Sequence, residues 1–176
     1  QSSDISYGRF PDGENNWYTF FPATPGTQNF ESNISGRCPI PDFSIQGGFF
    51  TGSVNVTLSS TMSGSEIRYT LDGKDPGPNT TLYTTPIQID STTVLRAATF
   101  KLQNLPSKPV SNTYFINVTT ELPVISLSTD PANFFSDTSG IYVIGTNGII
   151  GYCASSPRNW NQDWERTITA EYYEKD

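Results

Sequence analysis

The sequence predicts an all-β protein built around a β-sandwich, with short β-rich arms before and after it. Between residues 38 and 118, about seven short apolar stretches recur with turn residues between them, which is typical of a sandwich. Several of these stretches alternate apolar and polar residues, the two-residue period of a strand with one buried face. No helical period competes with this pattern in the same block.

The most regular strand covers residues 66–71, where apolar Ile67, Tyr69 and Leu71 alternate with polar residues. We predict that these three side chains face the core, opposite a second alternating strand at 54–58. An Asp-Gly pair directly after Leu71 ends the strand, because glycine accepts the positive φ of a tight turn and aspartate can bond the backbone ahead of it.

The other strands of this block are shorter and are separated by glycine, proline and serine. A glycine pair at Gly47 and Gly48 predicts a bend or bulge between the first two of them. The remaining strands are predicted at 43–45, 49–50, 81–83, 87–89, 93–100 and 111–116.

Short motifs of the block occur in a recognisable order and spacing. They are GFF at 48–50, VNVTL at 54–58, IRYTLDG at 67–73, LY at 82–83, PI at 86–87 and LRA at 95–97. Residues 38–118 thereby resemble the chitobiase/β-hexosaminidase C-terminal family. The resemblance implies an immunoglobulin-like or fibronectin-like β-sandwich that is an accessory module rather than a catalyst.

The N-terminal arm, residues 1–30, contains one predicted strand at 17–21 between two turn-rich segments. The words YGRFPDG at 7–13 and TPGTQN at 24–29 flank this aromatic strand. Together they resemble the end of a lamin-tail domain of secreted bacterial proteins. The resemblance implies that the arm is the C-terminal remnant of such a domain.

The C-terminal arm, residues 121–176, has predicted strands at 124–127, 140–144 and 167–173, and a turn or single helical turn after Asp130. The words LPVISL, GIYV and WER resemble the N-terminal part of a CotH-type secreted kinase-like domain. In that family the nucleotide-binding lysine and the metal-binding acids would follow this segment. The resemblance therefore transfers no catalytic residue to the chain.

Each arm offers too few strands to bury a core of its own. We therefore predict that the arms pack on each other or against one end of the sandwich. The aromatic residues available for this packing are Trp17, Phe20, Phe134, Phe135, Tyr142 and Trp164.

Composition excludes several classes of partner. The formal net charge is −7 and the pI is near 4.4, whereas nucleic acids and anionic membranes require a basic face. No stretch approaches the ~20 apolar residues of a membrane span. The many glycine, proline, serine and threonine residues favour an extracellular type of domain, so we expect an extracellular or cell-surface location without membrane insertion.

Histidine is absent, which excludes a Ser-His-Asp triad, a Cys-His pair and a His-ligated zinc site. The acidic residues offer two weak alternatives. Asp72, Asp75 and Asp90 lack the spacing of a calcium loop, and an Asx turn at Asp72 is the better interpretation. Glu165 and Glu171 could form an acid–base pair, but solvated charges beside a strand are the simpler interpretation. We predict no catalytic residue, cofactor or metal site.

Two cysteines and three tryptophans are the remaining candidate residues. Cys38 and Cys153 have no metal-site spacing, so they form either one long-range disulfide or two unpaired thiols. Trp17, Trp160 and Trp164 are candidate ligand-binding residues, because sugar rings stack on aromatic faces, but packing is the alternative.

The predicted function is that of a non-catalytic extracellular module of a larger protein, which acts as a spacer or adhesion unit. Its expected partners are neighbouring domains of the same polypeptide, together with a glycan or a cell-surface protein. Two other hypotheses remain open. One is a carbohydrate-binding accessory module, which exposed coplanar aromatic rings would distinguish, and the other is an incomplete portion of a secreted CotH-type kinase.

Overall fold

The computed structural model describes residues 6–20, 23–29, 34–152 and 155–174. Within these ranges the chain is almost entirely β-structure. The strands are β1 (Ser6–Arg9), β2 (Trp17–Phe20), β3 (Asp42–Phe43), β4 (Gly48–Phe50), β5 (Val54–Val56), β6 (Leu58–Ser59), β7 (Glu66–Thr70), β8 (Thr81–Leu82), β9 (Ile87–Ile89), β10 (Thr93–Phe100), β11 (Val110–Ile116), β12 (Val124–Ser128) and β13 (Thr169–Tyr173). One helical turn, α1 (Pro131–Phe135), and a 3₁₀ turn at Asn159–Asn161 complete the description.

The sandwich has two layers. The first is a five-stranded sheet in the order β4-β11-β10-β7-β8, in which β4 runs parallel to β11 and the other pairs are antiparallel. In the second layer β5 and β6 are separated by Thr57 alone, and they pair with β9 and β3 respectively. This immunoglobulin-like arrangement confirms the predicted all-β sandwich.

The core lies between the two layers and is apolar. Leu95 and Ala97 from β10, and Tyr114 from β11, are fully buried against Val56 and neighbours of the second layer. The Tyr114 hydroxyl donates to the Ile45 carbonyl at 2.7 Å, so its polar end is satisfied inside the sandwich. The predicted alternation holds in β5, where Val56 is buried and Asn55 is exposed, whereas β10 and β11 are buried on both faces.

Leu71 is a correction to that prediction. Ile67 is buried and Tyr69 packs against the core, but Leu71 is 48% exposed. Strand β7 ends at Thr70, one residue before Leu71. Because the turn at Gly73 has already begun to redirect the chain, the side chain of Leu71 no longer follows the alternation of the strand.

The N-terminal arm contains one strand more than predicted, and the C-terminal arm contains one strand fewer. Ser6–Arg9, expected as a turn-rich segment, forms β1 and pairs with β2 in a hairpin. The strand predicted at 140–144 is wrong, since these residues form turns. The Ile141 and Tyr142 amides donate to carbonyls of α1, at Asn133 and Phe134, and so are not available for a sheet ladder.

The C-terminal arm forms a two-stranded ribbon, β12 paired antiparallel with β13. The predicted strand at 124–127 is confirmed, and the one at 167–173 begins two residues later, at Thr169. Asp130 caps α1 by accepting from the Ala132 amide at 2.8 Å, which confirms the single helical turn. None of the helices in the described ranges has the length and apolar character needed to cross a bilayer.

Candidate functional site

The outer face of the five-stranded sheet, which points away from the core, is polar and yet covered. Arg96 on β10 is only 7% exposed, and Thr113 on β11 is buried as well. Phe115 continues the same row toward the end of β11 and is also buried. Something other than the second layer of the sandwich must therefore cover this face.

The covering element is the ribbon β12–β13. Its residues alternate between a half-buried face and an exposed one. Ser126, Glu171 and Tyr173 face the sheet and contact it through hydrogen bonds. The exposed face carries Ile125 and Tyr172, which are paired across the ribbon and are 63% and 60% exposed. The ribbon is therefore polar toward the sandwich and largely apolar toward solvent.

Glu171 is the centre of the interface. Its Oε2 accepts from the Thr113 hydroxyl at 2.7 Å and from the Ser111 hydroxyl at 3.2 Å. Its Oε1 accepts from the Tyr173 hydroxyl at 2.7 Å. The Thr113 hydroxyl also lies 2.7 Å from the Ser126 hydroxyl on the other ribbon strand. The Glu171 carboxylate thus joins β13 to β11, and the Thr113 hydroxyl extends the connection to β12.

Tyr173 adds a second connection. Its hydroxyl accepts from the Thr113 backbone amide at 3.0 Å while it donates to Glu171. Its ring meets the Phe115 ring edge to face at 5.4 Å between centroids. Burial, and then the hydrogen bond to Glu171, raise the pKa of Tyr173 to about 12, so its hydroxyl keeps its proton as a donor.

Arg96 binds three groups from two segments, the turn after β7 and strand β13. Its guanidinium donates to the Gly73 carbonyl at 2.8 Å, pairs with Asp75 at 2.6 Å and lies 3.3 Å from the Thr169 hydroxyl of β13. Its Nε is buried without a hydrogen-bond partner. An unsatisfied buried donor costs free energy, so the net contribution of Arg96 to stability is small. Its main effect is to fix the positions of the segments that it bonds.

Two glycines permit the close approach of sandwich and ribbon. A Cβ at Gly47 would overlap the Tyr173 hydroxyl and would lie 2.6 Å from the Thr113 carbonyl oxygen. Gly73 has φ of +82°, and a Cβ there would lie 2.7 Å from the Thr129 carbonyl oxygen just after β12. At both positions the missing side chain is a steric requirement of the interface.

This arrangement is suited to holding segments together rather than to chemistry. Both oxygens of Glu171 are occupied by hydroxyl donors, so the acid–base alternative for this residue is not favoured. Glu165 is exposed. Within the described residues, no group of three acidic or cysteine side chains is placed to hold a metal ion.

The other acidic candidates also have local structural partners. The Lys74 amide donates to Asp72 Oδ1 at 3.2 Å, which confirms the Asx turn. Asp75 pairs with Arg96, as described above. Asp90 is exposed and accepts from the neighbouring Ser91 hydroxyl at 3.4 Å.

Each of the three tryptophans lies beside its own arginine. The guanidinium carbon of Arg9 lies 5.6 Å from the Trp17 ring, and the corresponding distances are 5.8 Å for Trp160 and 5.0 Å for Trp164. Trp17 also stacks on Tyr7 at 5.3 Å and 19°, with the two side chains 53% and 67% exposed. The tryptophan rings are therefore already engaged by neighbours, which leaves less free aromatic surface for a sugar.

The predicted packing of the arms is confirmed only in part, because Phe20 is buried but Trp17, Phe135 and Tyr142 are 53%, 63% and 74% exposed. Phe134 and Phe135 line an apolar groove with Leu71 at the end of the sandwich, but the ribbon itself lies on a sheet face and is held by polar side chains. Cys38 is buried, and burial raises the pKa of its thiol. Cys153 lies outside the described residues, so the pairing of the two cysteines stays a prediction.

The residues of the interface were not identified from the sequence. A signal was present in β10, where Arg96 stands between two apolar residues in a long strand. A second was the alternation of Thr169, Glu171 and Tyr173, whose polar groups complement Ser111 and Thr113. Only the fold brings these two polar rows together, because they lie some 60 residues apart in the chain.

Comparison with known families identifies the sandwich alone. Residues 45–112, from just before β4 into β11, match the model of the chitobiase/beta-hexosaminidase C-terminal domain. This match confirms the resemblance predicted for that segment, whose family consists of non-catalytic immunoglobulin-like modules. No curated protein and no solved structure matches the chain significantly.

Proposed function

We propose that the chain provides a non-catalytic spacer module, which holds the segment that follows the sandwich in a fixed position and orientation. The observation that carries this proposal is the hydrogen-bonded seating of the ribbon on the sandwich. A flexible linker needs no contacts of this kind, whereas directional hydrogen bonds select one arrangement of two bodies. The match of residues 45–112 to a family of accessory modules supports the same reading.

The resemblances of the two arms extend the proposal. On that basis residues 1–30 end a lamin-tail-like domain and residues 121–176 begin a CotH kinase-like domain, with the sandwich between them. The module then belongs to a larger extracellular or surface protein. In such a protein the ribbon is the part through which the sandwich positions its neighbour.

The orientation is tested by electron–electron distance measurement between two spin labels in the full chain. One label is placed at Asn79, in an exposed turn of the sandwich, and the other at Ala170, on the exposed face of the ribbon. The labels are introduced as unnatural amino acids, so that both cysteines remain in place. A label pair at Asn79 and Asn55, both within the sandwich, is the matched control.

The expected result is a distance distribution for Asn79–Ala170 as narrow as that of the control pair. A broad distribution, with the control pair narrow, would show that the ribbon moves freely on the sandwich, and the spacer proposal would then fail.

A second candidate function, glycan binding or adhesion, is favoured by the exposed Tyr7–Trp17 stack on the β1–β2 hairpin. Tyr7 and Arg9 both lie against the Trp17 ring, so a sugar would contact the part of the stack that they leave exposed. Titration of the chain with neutral oligosaccharides, followed by tryptophan fluorescence, tests this function. A saturable change that disappears in Trp17→Ala but persists in Trp160→Ala supports it, and an unchanged spectrum contradicts it.

A further inference from the structure

The first and the last strand of the five-stranded sheet, in chain order, are adjacent and run in the same direction. Strand β4, near the start of the sandwich, pairs parallel with β11, its last strand, in the register Gly48–Tyr114 to Phe50–Ile116. The point where the chain enters and the point where it leaves therefore lie at opposite ends of this pair.

The parallel contact begins well before β4. The Ser35 amide donates to the Gln103 carbonyl at 2.8 Å, and the Cys38 amide donates to the Leu105 carbonyl at 2.9 Å. Between these two bonds, Arg37 forms a parallel bridge with Leu105. The segment that enters the sandwich is thus bonded to the loop before β11, on the side where the chain comes in.

Side chains reinforce the same contact on either side of the β4–β11 ladder. The Gly47 amide donates to Asn112 Oδ1 at 2.7 Å. Beyond the ladder, the Asn117 amide donates to the Phe50 carbonyl at 2.8 Å, and Asn117 Oδ1 accepts from the Gly52 amide at 2.9 Å. We call residues 35–52 and 103–117 together the parallel clamp.

Aromatic rings cover this set of hydrogen bonds. Phe49 stacks on Phe115 at 4.8 Å between centroids, and Phe50 lies 5.8 Å from Tyr114. The two ring pairs lie on opposite faces of the sheet, because neighbouring residues of a strand point to opposite faces. The clamp is thus shielded on both faces by apolar surface.

The geometry fixes how the clamp responds to tension. A pull on the incoming chain and on the outgoing chain moves the two parallel strands past each other in opposite directions, so all the bonds between them bear load together. The β1–β2 hairpin and the β12–β13 ribbon differ, since the chain enters and leaves each of these antiparallel pairs at one end, where Ser6 pairs with Phe20 and Val124 with Tyr173. A pull on those ends breaks one bond at a time.

We propose that the sandwich bears tension, and that the parallel clamp resists force applied between the chain before it and the chain after it. This goes beyond the spacer function, since a spacer need only fix an orientation, and it does not require the ribbon to be seated. A module with this property transmits a pull between its neighbours without unfolding.

The test is single-molecule force spectroscopy on the full chain, with two alternative pairs of handles attached through unnatural amino acids. Both pairs share a handle at Val118, just after β11. In the first pair the second handle is at Ile40, so that the β4–β11 part of the clamp is loaded in shear. In the second pair it is at Thr51, at the same end of the β4–β11 pair as Val118, so that the strands are peeled apart. All three positions are exposed.

The Ile40–Val118 pair is expected to rupture at a force at least about twofold higher than the Thr51–Val118 pair at the same loading rate, because forced unfolding reports the barrier along the pulled direction. Equal forces would overturn the proposal. If the Thr51 handle impairs folding, as judged by circular dichroism, Ser53 replaces it and the same comparison decides. Neither handle pair loads the ribbon, so a mobile ribbon would contradict the spacer function and leave this result unchanged.

Discussion

The two faces of the five-stranded sheet are built in opposite ways. The inner face meets the second layer of the sandwich through side chains such as Leu95 and Tyr114, which are fully buried. The outer face meets the ribbon through Arg96 and Thr113, which are buried as well but hydrogen-bonded. The same strands, β10 and β11, supply both faces.

The inner face therefore mainly determines the stability of the sandwich, and the outer face mainly determines the orientation of the ribbon. Apolar burial is non-directional and proportional to area, so the inner face provides most of the free energy of folding. Hydrogen bonds contribute less in net terms but depend strongly on distance and angle, so the outer face fixes where the ribbon lies. We expect substitutions on the two faces to affect different quantities, namely global unfolding and local opening of the ribbon.

The largest effect is expected at the inner face. Leu95→Ala should lower the free energy of unfolding by roughly 2 to 5 kcal/mol, because it leaves a cavity in the core. Leu71→Ala is the matched control and should cost less than about 1 kcal/mol, since that side chain is half exposed. Chemical denaturation measures both values, and equal losses would show that the two leucines are in similar environments.

The next largest effect is expected where the ribbon contacts the outer face of the sheet. Gly47→Ala should cost about 1 to 3 kcal/mol, because the added methyl group must displace the Tyr173 hydroxyl and crowd the Thr113 backbone. Gly77→Ala is the control, since a Cβ at Gly77 meets nothing within 4 Å. In amide hydrogen exchange, Gly47→Ala should release β12 and β13 before the rest of the sandwich. Uniform loss of protection would contradict this prediction.

A smaller and more local effect is expected for Tyr173→Phe. The change removes a donor to Glu171 and an acceptor for the Thr113 amide, which should weaken the seating of the ribbon by about 1 to 2 kcal/mol. Hydrogen exchange should show faster opening of the ribbon, with the core strands β10 and β7 unchanged. If β7 opened faster as well, the two faces would not be independent.

The same Tyr173 hydroxyl makes the stability of the interface depend on pH. The folded state raises the pKa of Tyr173 from 10.0 to about 12, so the folded protein holds a proton that the unfolded chain releases in this range. The contribution of Tyr173 to stability is therefore complete below pH 10 and is lost as the pH rises toward 12. A difference titration of tyrosinate absorbance, wild type minus Tyr173→Phe, should show this group titrating near pH 12. Titration near pH 10 would mean that the hydroxyl is solvated.

The smallest effect on stability is expected at Arg96. Arg96→Met removes the bond to Gly73 and the pair with the exposed carboxylate of Asp75, but it also removes a buried Nε that has no partner. These terms oppose each other, so the free energy of unfolding should change by less than about 1 kcal/mol. The spin-label distances between sandwich and ribbon should nevertheless broaden. A large loss of stability with unchanged distances would reverse the roles assigned to the two faces.

The sequence was sufficient for the sandwich because each of its strands carries its own local signal. Apolar alternation located β5 and β7, and the Asp-Gly turn located the end of β7 to within one residue. Leu71 was misplaced because alternation does not reveal where a strand yields to its turn. The residues at 140–144 have strand-like composition, but the carbonyls of α1 compete for their amides.

The interface could not be predicted in the same way. Its members are ordinary serines, threonines and a glutamate, which are common on exposed strands. What makes them an interface is that Ser111 and Thr113 meet Glu171 across 60 and 58 residues of chain. Period-two patterns assign a residue to a face, but they do not say which other face will lie against it.

The direction in which the chain traverses the sandwich also bears on how such a module is exchanged between genes. A domain whose termini lie side by side can be inserted into a surface loop of another protein with little disturbance. Here the incoming and outgoing segments of the parallel clamp lie at opposite ends of the sandwich. A duplicated or transplanted copy would therefore extend a linear array of domains. Its insertion into a surface loop would disturb the host protein.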